Sequence, residues 1–130
     1  MSTTSEATTR GVHVRVRSRY LPQRSDPDGG EWFFVYTVRI TNRGEDTVQL
    51  VTRHWVIRDG LGREQHVRGP GVVGAQPVLE TGQAFEYTSF CPLPTSSGSM
   101  HGTFQMVTTD GAAFDAEIAP FALSEELEFS

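Results

Sequence analysis

Glu31 to Thr41 reads EWFFVYTVRIT, and the fold turns on this stretch. It is dense in aromatic and β-branched residues, which suit a pleated surface, and it contains neither glycine nor proline. At a period of two, Trp32, Phe34, Tyr36, Val38 and Ile40 share one face, while Phe33, Val35, Thr37 and Arg39 share the other. A central strand is predicted. Its start is apolar on both faces, because Phe33 and Val35 oppose Trp32, Phe34 and Tyr36. A sandwich buries only one face of each sheet, so Phe33 and Val35 must be covered by loops of this chain or by a partner. A contiguous apolar patch there would mark a partner site.

Working outward, Val12, Val14 and Val16 alternate against His13, Arg15, Arg17 and Arg19, the pattern of a half-buried strand. Leu21 to Gly30 (LPQRSDPDGG) is turn chemistry. On the other side, Asn42 to Asp46 forms a turn and Thr47 to Arg58 (TVQLVTRHWVIR) a strand. Asp59-Gly60 then signals a hairpin from which Arg63 to Val67 returns antiparallel. Gly69 to Pro77 (GPGVVGAQP) reads as an irregular connection, Ala84 to Phe90 as a strand, and Cys91 to Ser99 as a long loop. Met100 to Thr108 and Ala112 to Ile118 flank Thr109-Asp110-Gly111 as a last hairpin. No segment carries a convincing helical period. Seven or eight short antiparallel strands predict an all-β chain folded as a two-sheet sandwich, with a partly closed barrel as the alternative of equal strand spacing. The expected organisation is a disordered segment over 1–10, one domain over 11–123 and an acidic tail over 124–130.

The chain has 130 residues, 11 arginines, no lysine and 16 acids, for a net charge of −5. That length buries roughly two-thirds of the unfolded chain's surface, enough for a core without staples. A single cysteine, Cys91, excludes an intrachain disulfide, and no apolar leader precedes Gly11, which together predict a cytoplasmic protein. The longest apolar run, Trp32 to Tyr36, is far short of the roughly 20 residues of a membrane span. An acidic total argues against an extended nucleic-acid face. The charge is uneven, however: residues 1–68 hold 11 arginines and 8 acids (+3), and residues 69–130 hold 8 acids and no base (−8). A local anion site at or before Arg68 is therefore compatible with the composition.

Gly69-x-Gly71-x-x-Gly74 has the spelling of a dinucleotide fingerprint, but that fingerprint needs a helix N-terminus after the glycines. Pro77 and Gly82 forbid one. What remains is a backbone concavity for a phosphate-containing small molecule at Arg68, Gly69, Gly71 and Gly74, with Arg63 and His66 nearby, against the plainer role of glycine in a tight loop. His13, His54, His66 and His101 lack metal-ligand spacing, although His54 and His101 are free to converge across sheets, so no metal or cofactor is expected. Asp26-x-Asp28 begins like a calcium loop, but Gly30 stands at the third ligand position and Thr37 at the twelfth. Cys91-Pro92 has no nucleophile elbow, and a buried, inert thiol is the expectation. With no recognisable nucleophile, base or metal constellation, the chain is read as a non-enzymatic protein-binding module.

Several strings together resemble one family. They are Tyr20-Leu21-Pro22 with Ser25-Asp26-Pro27, Tyr36-Thr37-Val38, Arg53-His54-Trp55, Gly69-Pro70-Gly71-Val72-Val73-Gly74 with Gln76-Pro77, Phe85-Glu86-Tyr87-Thr88-Ser89, Cys91-Pro92-Leu93 and Gly98-Ser99-Met100. In this order, from about Val12 to Phe121, they resemble the bacterial ApaG family. Phe90 stands where that family more often has glycine, and Phe104 where it commonly has tyrosine. The resemblance implies a fibronectin type III or immunoglobulin-like β-sandwich. It also implies a link to cobalt resistance with magnesium efflux and to diadenosine polyphosphates, and, through related eukaryotic domains, a partner-binding role.

Overall fold

The computed structural model describes residues 2–125. Nine strands follow in order: β1 (Thr4–Thr9), β2 (Val12–Tyr20), β3 (Trp32–Asn42), β4 (Val48–Asp59), β5 (Glu64–Pro70), β6 (Val78–Leu79), β7 (Ala84–Leu93), β8 (Ser97–Thr108) and β9 (Ala113–Ser124). They form two antiparallel sheets, one ordered β1-β2-β3-β7 and the other β5-β4-β8-β9 with β6 paired to β4. The architecture is the predicted sandwich.

The period-two reading of β2 and β3 sets the core. Val12, Val14 and Val16 of β2 and Phe34, Val38 and Ile40 of β3 are essentially fully buried. The second sheet meets them with Leu50, Trp55, Phe104, Ile118 and Phe121. Trp55 stands edge-on to Tyr36, Phe104 and Phe121, with centroids 5.3, 6.2 and 6.0 Å away. Each fully buried large side chain contributes about 1.5–3 kcal/mol. A bulge between Leu50 and Thr52 shifts the parity of β4, so Val48 and Leu50 face inward before it and Arg53, Trp55 and Ile57 after it. This shift turns His54 outward.

Three expectations are corrected. Residues 1–10 were expected to be disordered, yet Thr4–Thr9 is a strand paired to β2 along its length. Arg10 (φ 50°) and Gly11 (φ 84°) make the two-residue turn of a tight hairpin. Across the sandwich, the Ala122 N–H donates to the Ser2 carbonyl (2.7 Å) and the Ser18 hydroxyl to the Ala122 carbonyl (2.6 Å). The domain therefore begins before Gly11. The long loop expected over Cys91 to Ser99 shrinks to three residues, because β7 continues to Leu93 and β8 starts at Ser97. The irregular connection expected from Gly69 starts later as well: Gly69 and Pro70 belong to β5, paired with Arg53 and Thr52. Of the acidic tail, Ser124 closes β9, while residues 126–130 lie outside the described residues.

Candidate functional site

The outer face of the β1-β2-β3-β7 sheet carries Phe33 and Val35, the pair that the sequence singled out. Register places Arg15 opposite Arg39, Arg17 opposite Thr37 and Arg19 opposite Val35 on β2 and β3, and Phe90 of β7 opposite Val35. Val35 is only 9% exposed, so it is largely covered within the chain. Phe33 is half-buried, and its ring packs on that of Phe90 with centroids 5.5 Å apart. Phe90 remains 49% exposed. The loop between β2 and β3 brings Arg24 over both rings, 4.7 Å from the centroid of Phe33 and 5.4 Å from that of Phe90, a cation–π arrangement. That loop is held by the Ser25 hydroxyl, which donates to the Leu21 carbonyl and accepts from the Phe33 N–H, both at 2.8 Å. The apolar corner is therefore Phe33, Phe90 and the rim of Val35, fixed beneath a guanidinium.

Sequence reasoning found Phe33 and Val35 but not Phe90 or Arg24. Phe90 ends an alternating run, and only the β3–β7 register shows that it shares their face. Other exposed apolar residues, Leu61, Val73 and Val78, lie on turns or on the short β6.

The glycine segment is built differently from an anion cradle. The Gly71 N–H donates to the Val51 carbonyl (2.8 Å), and Val72 and Ala75 exchange N–H···O bonds of 2.8 Å across a turn whose tip is Val73 (φ 43°) and Gly74 (φ 82°). The amides of Gly71, Val72 and Ala75 are thus engaged within the chain. A Cβ on Gly71 (φ 58°) would lie 2.2 Å from the Ala75 carbonyl oxygen, so this position admits glycine alone. Gly69 lies flat against Arg53, whose Nη1 donates to the carbonyls of Pro70 and Gly71, each at 2.9 Å. The loop turns carbonyls, not amides, toward its nearest guanidinium. Arg68 points the other way, on the outer face of the second sheet beside its strand partner His54.

There, Thr52, Arg53, His54, Arg68, Gly69, Pro70 and Gln105 line an open groove of about 560 Å³. His54 and His66 are hydrogen-bonded, Nε2 to Nδ1, at 2.9 Å. His101 pairs with Val56 on β4. His54 and His101, which the sequence left free to converge across sheets, lie instead on adjacent strands of one sheet, where the charge of His101 acts on His54. Burial, together with the charges of Arg68, His66 and His101, lowers the His54 pKa. Among the described residues, no three His, Cys, Asp or Glu side chains are grouped to hold a metal ion. The Cys91 thiol is 3% exposed, and burial pushes its pKa up to about 12, the opposite of what a nucleophile needs. Asp26 caps a turn, accepting from the Gly29 N–H at 3.2 Å. No helix among the described residues is long and apolar enough to cross a membrane.

Two antiparallel sheets packed face to face, with sequential hairpins and crossovers between them, define a β-sandwich of the fibronectin type III and immunoglobulin kind. The ApaG domain family matches residues 22–108. Protein ApaG of Methylobacterium sp. (strain 4-46) is 55% identical over 118 residues, 91% of each chain. Protein ApaG of Anaeromyxobacter dehalogenans (strain 2CP-C) is 56% identical over 119 residues, 92% of this chain and 94% of its own. The crystal structure of the putative ApaA protein from Bordetella pertussis matches with a TM-score of 0.85 at 47% identity, covering 95% of this chain and 96% of that one. The chain belongs to the ApaG family.

Proposed function

We propose that this chain is a non-enzymatic protein-binding module whose partner sits on the Phe33–Phe90 corner of the β1-β2-β3-β7 sheet. The observation that carries the reading is Phe90, 49% exposed yet packed against Phe33 and overlain by Arg24. A single exposed apolar side chain is ordinary. Two aromatic rings held rigid beside an arginine have the composition of an interface anchor. The high pKa of Cys91 supports a binding role over covalent catalysis and suits a thiol kept reduced in the cytoplasm. Cobalt resistance and magnesium efflux, which the family resemblance implies, would then be exerted through the partner. Affinity capture with the wild type and with Phe90→Ser tests the reading. A protein retained by the first and lost with the second is expected; identical captures would overturn it.

A second reading is favoured by the groove beside Arg68 and His54. Its ligand would be a small phosphate-containing anion such as pyrophosphate, bound on the sheet face rather than by the glycine turn. Titrating pyrophosphate should move the backbone amides of His54 and Arg68; stillness there at millimolar ligand would end it.

A further inference from the structure

The corner is the end of a longer feature. Arg15, Arg17 and Arg19 are exposed along β2, and among the described residues no carboxylate lies within ion-pair distance of any of them. Arg39 stands directly opposite Arg15, a like-charged pair that by itself costs stability. Glu86 offsets it only in part, 3.7 Å from Arg39 with both side chains about half exposed. Glu6, across from Arg15 on β1, is engaged with His13 Nε2 at 2.9 Å. Between the β2 arginines and β3 lies a trough of about 290 Å³ lined by Arg17, Ser18, Arg19, Val35 and Thr37, next to a smaller hollow among Arg15, Arg17, Thr37, Arg39 and Glu86. The trough leads to the Phe33–Phe90 corner through Val35.

We infer that the partner presents an extended acidic segment, with carboxylates at alternate residues, which runs along β2 and ends in an apolar side chain on Phe90. The inference rests on the corner being the partner site. Alternate residues of a strand are about 7 Å apart, so carboxylates at every second position of an extended peptide match Arg15, Arg17 and Arg19 one to one. Guanidinium and carboxylate pair in a two-bonded geometry that fixes register as well as charge. Single-stranded nucleic acid shares the negative charge but draws on a succession of aromatic faces on which its bases stack, whereas the arginine row ends at one aromatic pair, Phe33 and Phe90. An acidic protein segment is the better fit.

The test uses the full chain, isotopically labelled, at low salt, with three probes. These are the peptide Phe-Thr-Glu-Thr-Glu-Thr-Glu, whose phenylalanine and glutamates share one face when extended, an isomer with its three glutamates contiguous, and a twelve-nucleotide oligothymidylate. The alternating peptide should shift the amides of Arg15, Arg17, Arg19, Thr37 and Phe90. It should bind several-fold more tightly than its isomer and weaken about tenfold in Arg17→Gln/Arg19→Gln. Equal affinity for the two peptides, shifts confined to other surfaces, or tighter binding of oligothymidylate would overturn the inference. So would concentration-dependent shifts of these amides without any probe, which would make a second copy the occupant. The comparison of isomers is made on the wild type and stands whether or not the variant folds. Capture that depends on Phe90 without a preference between the peptides would defeat this inference alone; alternating-peptide binding in Phe90→Ser equal to wild type, with capture unchanged, would defeat the corner as the partner site.

Discussion

Arg53 reaches under Gly69 and donates from a single nitrogen to two carbonyls, those of Pro70 and Gly71, at 2.9 Å each. A Cβ on Gly69 would come within 3.0 Å of that guanidinium. The glycine-rich segment is thereby a structural clamp between β4 and the turn after β5. Replacing Arg53 by methionine should cost about 1.5–2 kcal/mol, the lower part of the range for bonds to a charged group because one of the two bonds is exposed. Chemical denaturation of Arg53→Met checks this.

The glycines of the same motif should differ in tolerance. Gly71→Ala collides with the Ala75 carbonyl and sits at positive φ, whereas a Cβ at Gly74 meets nothing within 4 Å. Gly74→Ala should cost about 1 kcal/mol. Gly71→Ala should cost clearly more, with thermal melts ranking the two. Equal costs would contradict the turn described here.

Cys91 should ignore thiol reagents in the native protein and react only on unfolding. Its side chain is buried and its thiol pKa is raised to about 12, so the thiolate is scarce at neutral pH. Labelling rates with and without denaturant measure this directly. A fast native reaction would contradict it.

The lowered pKa of His54 gives stability a pH dependence. In the unfolded chain a histidine titrates near 6.5, above its folded value, so at intermediate pH the unfolded chain binds the extra proton. This contribution is complete above about pH 6.5 and is lost as the pH falls through the folded pKa. Urea midpoints should therefore drop between pH 7.5 and 5.5, and His54→Gln should flatten the drop.

Strand β2 was legible because apolar and polar residues alternate along it, and β3 and β4 because β-branched and aromatic residues crowd them between turns. Strand β1 was not: its sequence TSEATT carries no apolar alternation, and its stability comes from pairing with β2 and from contacts to β9. The outward arginines of β2 could be read from parity alone. Their opposition to Arg39 needed register, which depends on how two distant segments align. The same holds for the corner, where Phe33 announced itself by breaking alternation while Phe90 and Arg24 arrive from elsewhere in the chain. The bonding of the glycine segment was illegible for a different reason: spelling does not show that the amides of Gly71, Val72 and Ala75 are already engaged within the chain.

The most direct test of the partner site is a photo-crosslinking amino acid placed at position 90 in the source cells, with position 61 as the control. Leu61 is more exposed than Phe90, at 73% against 49%, but sits on the turn after β4. A discrete crosslinked protein is expected from position 90 and not from position 61. Crosslinks of the same kind from both positions, or none from position 90, would contradict it.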